Sequence, residues 1–211
     1  MSGIKSKKVG VMGGTFNPVH MGHLLLAEWT MEAAGLDSIL FIPAGCPYMK
    51  NQGEILDGEE RLKMVDLAIG SREDFFCSDM EIRRGGYTYT YETLEQLKAE
   101  NHDTEYYFIM GADCLLSMEN WVHPERIFRA GTLIAAARNG SPIDELEDKC
   151  RELEHRFHGS ILLLPFLSME ISSSDIRNRV KTGKSIRYLV PDPVLDYITE
   201  KKLYQEVMVR Q

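Results

Sequence analysis

Short apolar runs alternate with amphipathic stretches from one end of this chain to the other. The apolar runs at Lys8–Met12, Ser38–Ile42, Phe75–Ile82, Tyr106–Met110, Thr132–Ala137 and Ile161–Leu164 read as strands. The stretches between them read as helices over His20–Ala34, Gly58–Ile69, Tyr91–Glu100, Pro124–Arg129 and Ile143–Phe157. Two more helices, Ser173–Lys181 and Pro193–Lys201, follow the last strand. In the first helix Leu24, Leu25, Ala27, Met31 and Ala34 fall at helical spacing, and Gly35 supplies a C-terminal stop. The runs ILFI, YFIM, LIAAA and ILLL are apolar without alternation, as in strands covered on both faces. This alternation predicts an α/β fold: a doubly wound parallel sheet with helices on both faces. It also predicts a single domain over residues 1–211, with a small C-terminal helical portion at about 172–205. In such sheets ligands bind beyond the carboxyl ends of the strands, near the point where strand order reverses.

Composition narrows the picture. The chain has 211 residues, 44% hydrophobic and 27% charged, which fits one compact globular domain. Its apolar runs are far shorter than a membrane span. The start, MSGIKSKK, is basic, but VGVMGG behind it is too short for a signal-peptide core. A cytoplasmic protein with no membrane partner is expected. The net charge of −8 argues against a polynucleotide partner and leaves room for a local small-anion pocket. Arg177, Arg179, Lys181, Lys184 and Arg187 make an acid-free basic run, which reads equally well as a solvated helix face. Cys46, Cys77, Cys114 and Cys150 are widely spaced with no CxxC pair, so reduced thiols are expected.

Candidate chemistry begins with MGGTFNPVHMGHLLL, between the first strand and the first helix. It lacks the GxGxxG dinucleotide fingerprint. Gly13 and Gly14 let a phosphate approach the backbone, and Thr15 and Asn17 offer polar contacts. The helix that follows offers N–H groups and a positive dipole end. His20 and His23 lie about one turn apart on one face, with Gly22 between them removing a side chain. Three readings compete: metal ligands, helix-start residues, or groups aimed at phosphates. The first lacks the third partner of an HExxH set.

SMEISSSDIRNRV repeats the arrangement after the last strand. Ser172, Ser173 and Ser174 can cap the next helix, and Arg177 lies one turn in, where a guanidinium can fork onto phosphate oxygens. A plain N-cap is the bland alternative.

GGTFNPVHMGH resembles the signature of the HxGH nucleotidyltransferases, and more narrowly the bacterial nicotinate-nucleotide adenylyltransferases, over Lys8 to about Tyr204. ISSSDIR resembles that family's ISSSxIR motif, GGYTYTYETL its SYTxDT segment, GADCLLSMENW its GxDxxxxxxxW pattern and CPYMK its PPHK loop. Met49 stands where histidine is usual, and Glu92 where aspartate is usual. The resemblance implies a Rossmann-like fold and transfer of the ATP adenylyl group to nicotinate mononucleotide, with release of pyrophosphate. It implies ATP contacts from Gly13, Gly14, Thr15, Phe16, His20, Gly22, His23, Gly111, Ser172, Ser174 and Arg177. It implies acceptor contacts from Asn17, Lys50, Tyr89, Thr90, Asp113, Trp121 and Arg138. Thr90 and nearby amides would read the nicotinate carboxylate, and Trp121 would stack on the pyridine. His20, His23, Lys50 and Arg177 would carry the catalytic charge, with histidines protonated beside the phosphates. Arg61 matches a family arginine, although a surface salt bridge is an equal alternative. Mg2+ would travel with the ATP phosphates, with no metal site of the chain's own. Other readings are a sister enzyme using the amidated mononucleotide or another phosphate acceptor, and a nucleotide-binding regulator without catalysis. Self-association is compatible with each of them.

Overall fold

The structure, a computed structural model, describes residues 7–46, 55–70, 72–138, 140–167 and 169–205. Six strands form one parallel sheet: β1 (Lys7–Gly14), β2 (Ser38–Pro43), β3 (Phe75–Cys77), β4 (Thr104–Gly111), β5 (Thr132–Arg138) and β6 (Ile161–Phe166). Their order is β3-β2-β1-β4-β5-β6. The chain winds outward from β1 to β3, then returns to place β4 beside β1. Strand order therefore reverses at the β1/β4 pair, where a doubly wound sheet opens its ligand crevice. Val9 pairs with Ser38 on one side and with Tyr106 on the other.

Alternate residues of each strand enter separate cores. On one face Val9, Val11, Phe108, Met110, Leu133 and Ala135 pack with α4 (Thr90–Glu100), α6 (Pro124–Ala130) and α7 (Ile143–Phe157). On the other, Met12, Phe41, Ile109 and Ile134 pack with α1 (Met21–Ala34), α2 (Gly58–Ile69), α8 (Ser173–Lys181) and α9 (Asp192–Glu200). The non-alternating apolar runs are thus explained, because both faces of the sheet are covered. α1 ends at Gly35 in the left-handed conformation, φ 59°, as its sequence position predicts.

One strand assignment needs correction. Phe75–Ile82 does not continue as a strand: pairing with β2 stops at Cys77, and Met80–Arg84 forms a short helix, α3. The Ser78 hydroxyl accepts the Met80 N–H at 3.3 Å, and Asp79 precedes the helix. The apolar residues of this stretch therefore serve two elements. A further short helix, α5 (Ala112–Leu115), follows β4 directly and had no signal in the apolar pattern.

The sheet edges are blunt. β3 has three residues, and at β6 the carbonyl of Pro165 accepts the Trp29 indole N–H at 2.8 Å. Among the described residues, no helix is long and apolar enough to cross a membrane. The four cysteines are free.

Candidate active site

The exits of β1, β2 and β4 bound a cavity of about 210 Å³. Its lining includes Gly13, Gly14 and Thr15 from the first loop, Ala44 after β2, Glu81, and Thr88, Thr90 and Thr93 around the start of α4. Phe108 and Trp121 complete the apolar wall, their rings meeting edge-on at 6.2 Å. This is the switch point that the topology singles out.

Beside the cavity stands the N-terminus of α1. His20 is its N-cap residue, so the helix begins at Met21 rather than at His20. The His20 and His23 rings stack with centroids 3.7 Å apart. His23 Nδ1 accepts the backbone N–H of His20 at 3.2 Å. An accepting Nδ1 carries no proton, so the neutral His23 ring holds its proton on Nε2. His20 is 7% exposed, and burial lowers its pKa from 6.5 to about 4. Without phosphates beside it, the His20 ring is therefore neutral at neutral pH. Its Nδ1 is buried without a hydrogen-bond partner among the described residues.

Gly22 has a more specific reason than ligand access. A Cβ there would come within 3.1 Å of His20 Nδ1. The missing side chain makes room for the imidazole. Phe16 is placed away from the ATP side: its side chain is 2% exposed and packs in the core against Phe41 and edge-on against His23. It adopts φ 49°, a left-handed conformation uncommon for a bulky residue. That turn puts its ring 3.0 Å from where a Gly14 Cβ would lie. Phe16 thus supports His23, and only its backbone is left for a nucleotide. Nor are all the N–H groups of α1 open, since Met21 N–H donates to Leu189 carbonyl at 2.9 Å.

The second motif meets the first. Ser173 Oγ donates to the Pro18 carbonyl at 2.9 Å, and Arg177 Nη1 donates to the Asn17 carbonyl at 2.9 Å. These two bonds dock the start of α8 onto the first loop. Ser172 Oγ accepts the Asp175 N–H at 3.1 Å, so the capping role is real. Its hydroxyl proton can still donate. Ser172 and Ser174 are exposed.

Asn17 serves the scaffold as much as the cavity. Its Oδ1 accepts from the Leu56 N–H at 3.3 Å and from the Tyr204 hydroxyl at 3.0 Å. Among the described residues Arg61 makes no surface salt bridge. It is 1% exposed, and its guanidinium donates to the carbonyls of Leu56, Thr15, Ala44 and Gly45 at 2.6–3.1 Å. Burial lowers its pKa, yet it remains the brace that ties the β1 and β2 exit loops together. The pattern contains a trace of this: Arg61, Met64 and Val65 share one helix face, and a cation on an apolar face calls for buried acceptors.

Past β4, Asp113 and Arg138 face each other at 4.0 Å, both largely exposed. Gly111 has open space where a side chain would stand. Tyr89 is the N-cap residue of α4 and Thr90 its first residue, so the ring of Trp121 and a helix N-terminus border the same cavity. Glu92 is engaged by its neighbour, accepting from the Tyr91 hydroxyl at 3.0 Å. Lys50 and Met49 lie outside the described residues. Among the described residues, no group of three or more His, Cys, Asp or Glu side chains could hold a metal ion.

A family model of cytidylyltransferase-like proteins matches residues 11–179, and the chain belongs to that family. It is 43% identical over 198 residues to a probable nicotinate-nucleotide adenylyltransferase of Lachnoclostridium phytofermentans, covering 94% of this chain and 99% of that one. A relative of the same name from Dehalococcoides mccartyi is 43% identical over 203 residues, covering 94% and 98%. Among solved structures, Plasmodium falciparum nicotinic acid mononucleotide adenylyltransferase complexed with NaAD superposes with a TM-score of 0.77. That match covers 94% of this chain and 97% of the other, and at 20% identity it bears on the fold alone.

Proposed function

We infer that the protein is a nicotinate-nucleotide adenylyltransferase, transferring the adenylyl group of ATP to nicotinate mononucleotide and releasing pyrophosphate in NAD biosynthesis. The observation that carries this reading is the docking of α8 onto the first loop. Ser173 on Pro18 and Arg177 on Asn17 bring two helix N-termini to the loop whose Gly13, Gly14 and Thr15 line an apolar cavity. Such ends bind anions, and a triphosphate has enough length to touch both. The relatives' names and the aromatic, threonine-lined cavity support a pyridine mononucleotide as acceptor.

The chain's part in the reaction is alignment and charge stabilisation. The nucleophile is a phosphate oxygen of the acceptor, whose second pKa is about 6, so it is already largely ionised at neutral pH and needs no general base. His23 donates from Nε2–H, His20 donates beside it, and Arg177 and Lys50 supply cationic charge as the pyrophosphate departs. Gly13, Gly14, Thr15 and the Phe16 backbone, with Gly22 and Gly111, shape the ATP side, and Ser172 and Ser174 give hydroxyls to its phosphates. Asn17, Tyr89, Thr90, Asp113, Trp121 and Arg138 form the acceptor side. Mg2+ enters with the ATP phosphates, where hard phosphate oxygens hold it.

The protein works as one domain in the cytoplasm on small molecules. Its net charge of −8 argues against polynucleotide binding, and self-association is compatible with the reading. Pyrophosphate release, measured with ATP and a panel of mononucleotides in acid and amide forms, tests it. Faster turnover of nicotinate mononucleotide is expected. Equal or faster turnover of the amide, or ATP binding without any pyrophosphate release, overturns it.

A further inference from the structure

The loop after β1 is held from the far end of the chain. Beyond α9 the backbone turns at Lys202 and Tyr204, with φ of 53° and 62°, the left-handed region that side chains of this size rarely adopt. Leu203 N–H donates to the Ile198 carbonyl at 3.0 Å and closes the helix end. The turn returns Tyr204 to the first loop, where its hydroxyl donates to Asn17 Oδ1 at 3.0 Å. Leu56 N–H donates to the same oxygen at 3.3 Å. A backbone N–H can only donate, so the Asn17 amide is fixed with Oδ1 toward both. Arg177 Nη1 holds the carbonyl of the same residue at 2.9 Å.

The segment before α2, the first turns of α8 and the C-terminal turn thus meet on one residue, itself 3% exposed. Asn17 lies between Thr15, which lines the cavity, and His20 at the start of α1. The Tyr204 ring packs against the second core, as any aromatic ring could. Packing alone asks for neither a left-handed backbone nor a hydroxyl aimed at an amide. Burial pushes the phenol pKa up, against the pull of the Arg177 and Arg61 charges, so the hydroxyl stays protonated and able to donate.

We propose that Tyr204 is a positioning residue for adenylyl transfer, a latch that fixes the first loop, through Asn17, against the cation Arg177. The inference rests on the reading of the site given above and deepens it. Tyr204 acts here through Asn17 and not on the nucleotide. With the hydroxyl gone, Asn17 Oδ1 loses one of its donors. The loop then gains freedom, and the carbonyl gripped by Arg177 moves with it.

The test is a double-mutant cycle with pyrophosphate release as readout, run well below the melting temperature. Tyr204→Phe keeps the ring and is expected to lower kcat/KM for ATP about five- to tenfold. In the Arg177→Ala background the same change is expected to cost about twofold or less, because the group it positions is gone. Losses that simply multiply overturn the proposal, as does a Tyr204→Phe enzyme that is less stable but equally active, which marks a merely structural tyrosine. A second measurement needs no variant. If the latch favours ATP binding, bound ATP must tighten the latch by the same factor. Amide hydrogen exchange at Lys201, Lys202 and Leu203 of the wild-type protein is expected to slow several-fold with MgATP and no acceptor. Unchanged exchange overturns the proposal even where Tyr204→Phe fails to fold. Wild-type turnover keeps the two readings apart. Pyrophosphate release from nicotinate mononucleotide without coupling removes only the role of Tyr204, and no release with any mononucleotide removes the adenylyltransferase reading itself.

Discussion

The helix starts of α1 and α8 reach the same site by opposite construction. At α1 the polar groups are imidazoles that are stacked, partly buried and locked by a backbone hydrogen bond. At α8 they are exposed serines and a half-buried arginine, with Ser173 and Arg177 bonded to the first loop and Ile176 packed in the core. The first end is fixed before any ligand arrives. The second brings exposed hydroxyl donors and a permanent charge. A histidine buried as His20 is makes a poor carrier of charge but a well-directed donor, whereas the arginine keeps its charge in any surroundings. The site thus divides direction and charge between two helices distant in sequence.

Breaking the α1 end should cost most. His20→Ala or His23→Ala is expected to lower turnover about 10²–10³-fold with near-native circular dichroism, and turnover within a few-fold of wild type would remove either residue from the site. Arg177→Ala is expected next, at about 10²-fold in kcat/KM for ATP, with partial recovery in Arg177→Lys, which keeps charge but not the fork. A third prediction concerns pH and belongs to α1 only. His20 has a folded-state pKa of about 4 against 6.5 unfolded, so the unfolded chain takes up the proton first as pH falls. The stability tied to neutral His20 is fully present above pH 6.5 and is lost as pH falls toward about 4. Urea unfolding across that window should show about 2 kcal/mol less loss in His20→Gln than in wild type; parallel curves would mean that His20 is not buried neutral. The smallest effect sharpens the α8 side. Ser172→Ala should cost about 1 kcal/mol of stability through the lost cap. A further drop in kcat/KM for ATP would show that its hydroxyl also serves the nucleotide, whereas stability loss alone would make it a cap only.

Much of this arrangement is legible along the chain, because it depends on near neighbours. The non-alternating runs of β4 and β5 announce a sheet covered on both faces, and the loops after β1 and β6 announce two helix starts. The limits are physical too. Phe75–Ile82 misleads because Phe75 and Cys77 serve a strand while Met80 and Ile82 serve a helix, and apolar residues spaced two apart fit either. Phe16 reads as part of a phosphate loop, yet its ring is in the core because its left-handed turn is a property of the folded backbone. Asn17 to Tyr204 spans 187 residues and Arg61 Nη1 to the Thr15 carbonyl spans 46, so no local pattern encodes either bond. The neutral His20 of the ligand-free protein is not legible in the motif either: burial is set by what folds over it, not by its neighbours in the sequence.

Parallel sheets left open at both sides invite other strands to extend them. At β6 that route meets a residue with nothing to offer a newcomer: Pro165 has no N–H, and its carbonyl is already taken by the Trp29 indole. At the opposite margin β3 is only three residues long. Both margins of the sheet therefore offer little free backbone to an added strand. Trp29 thus seals the outer strand twice, by its indole N–H on Pro165 and by its ring edge-on against Phe166.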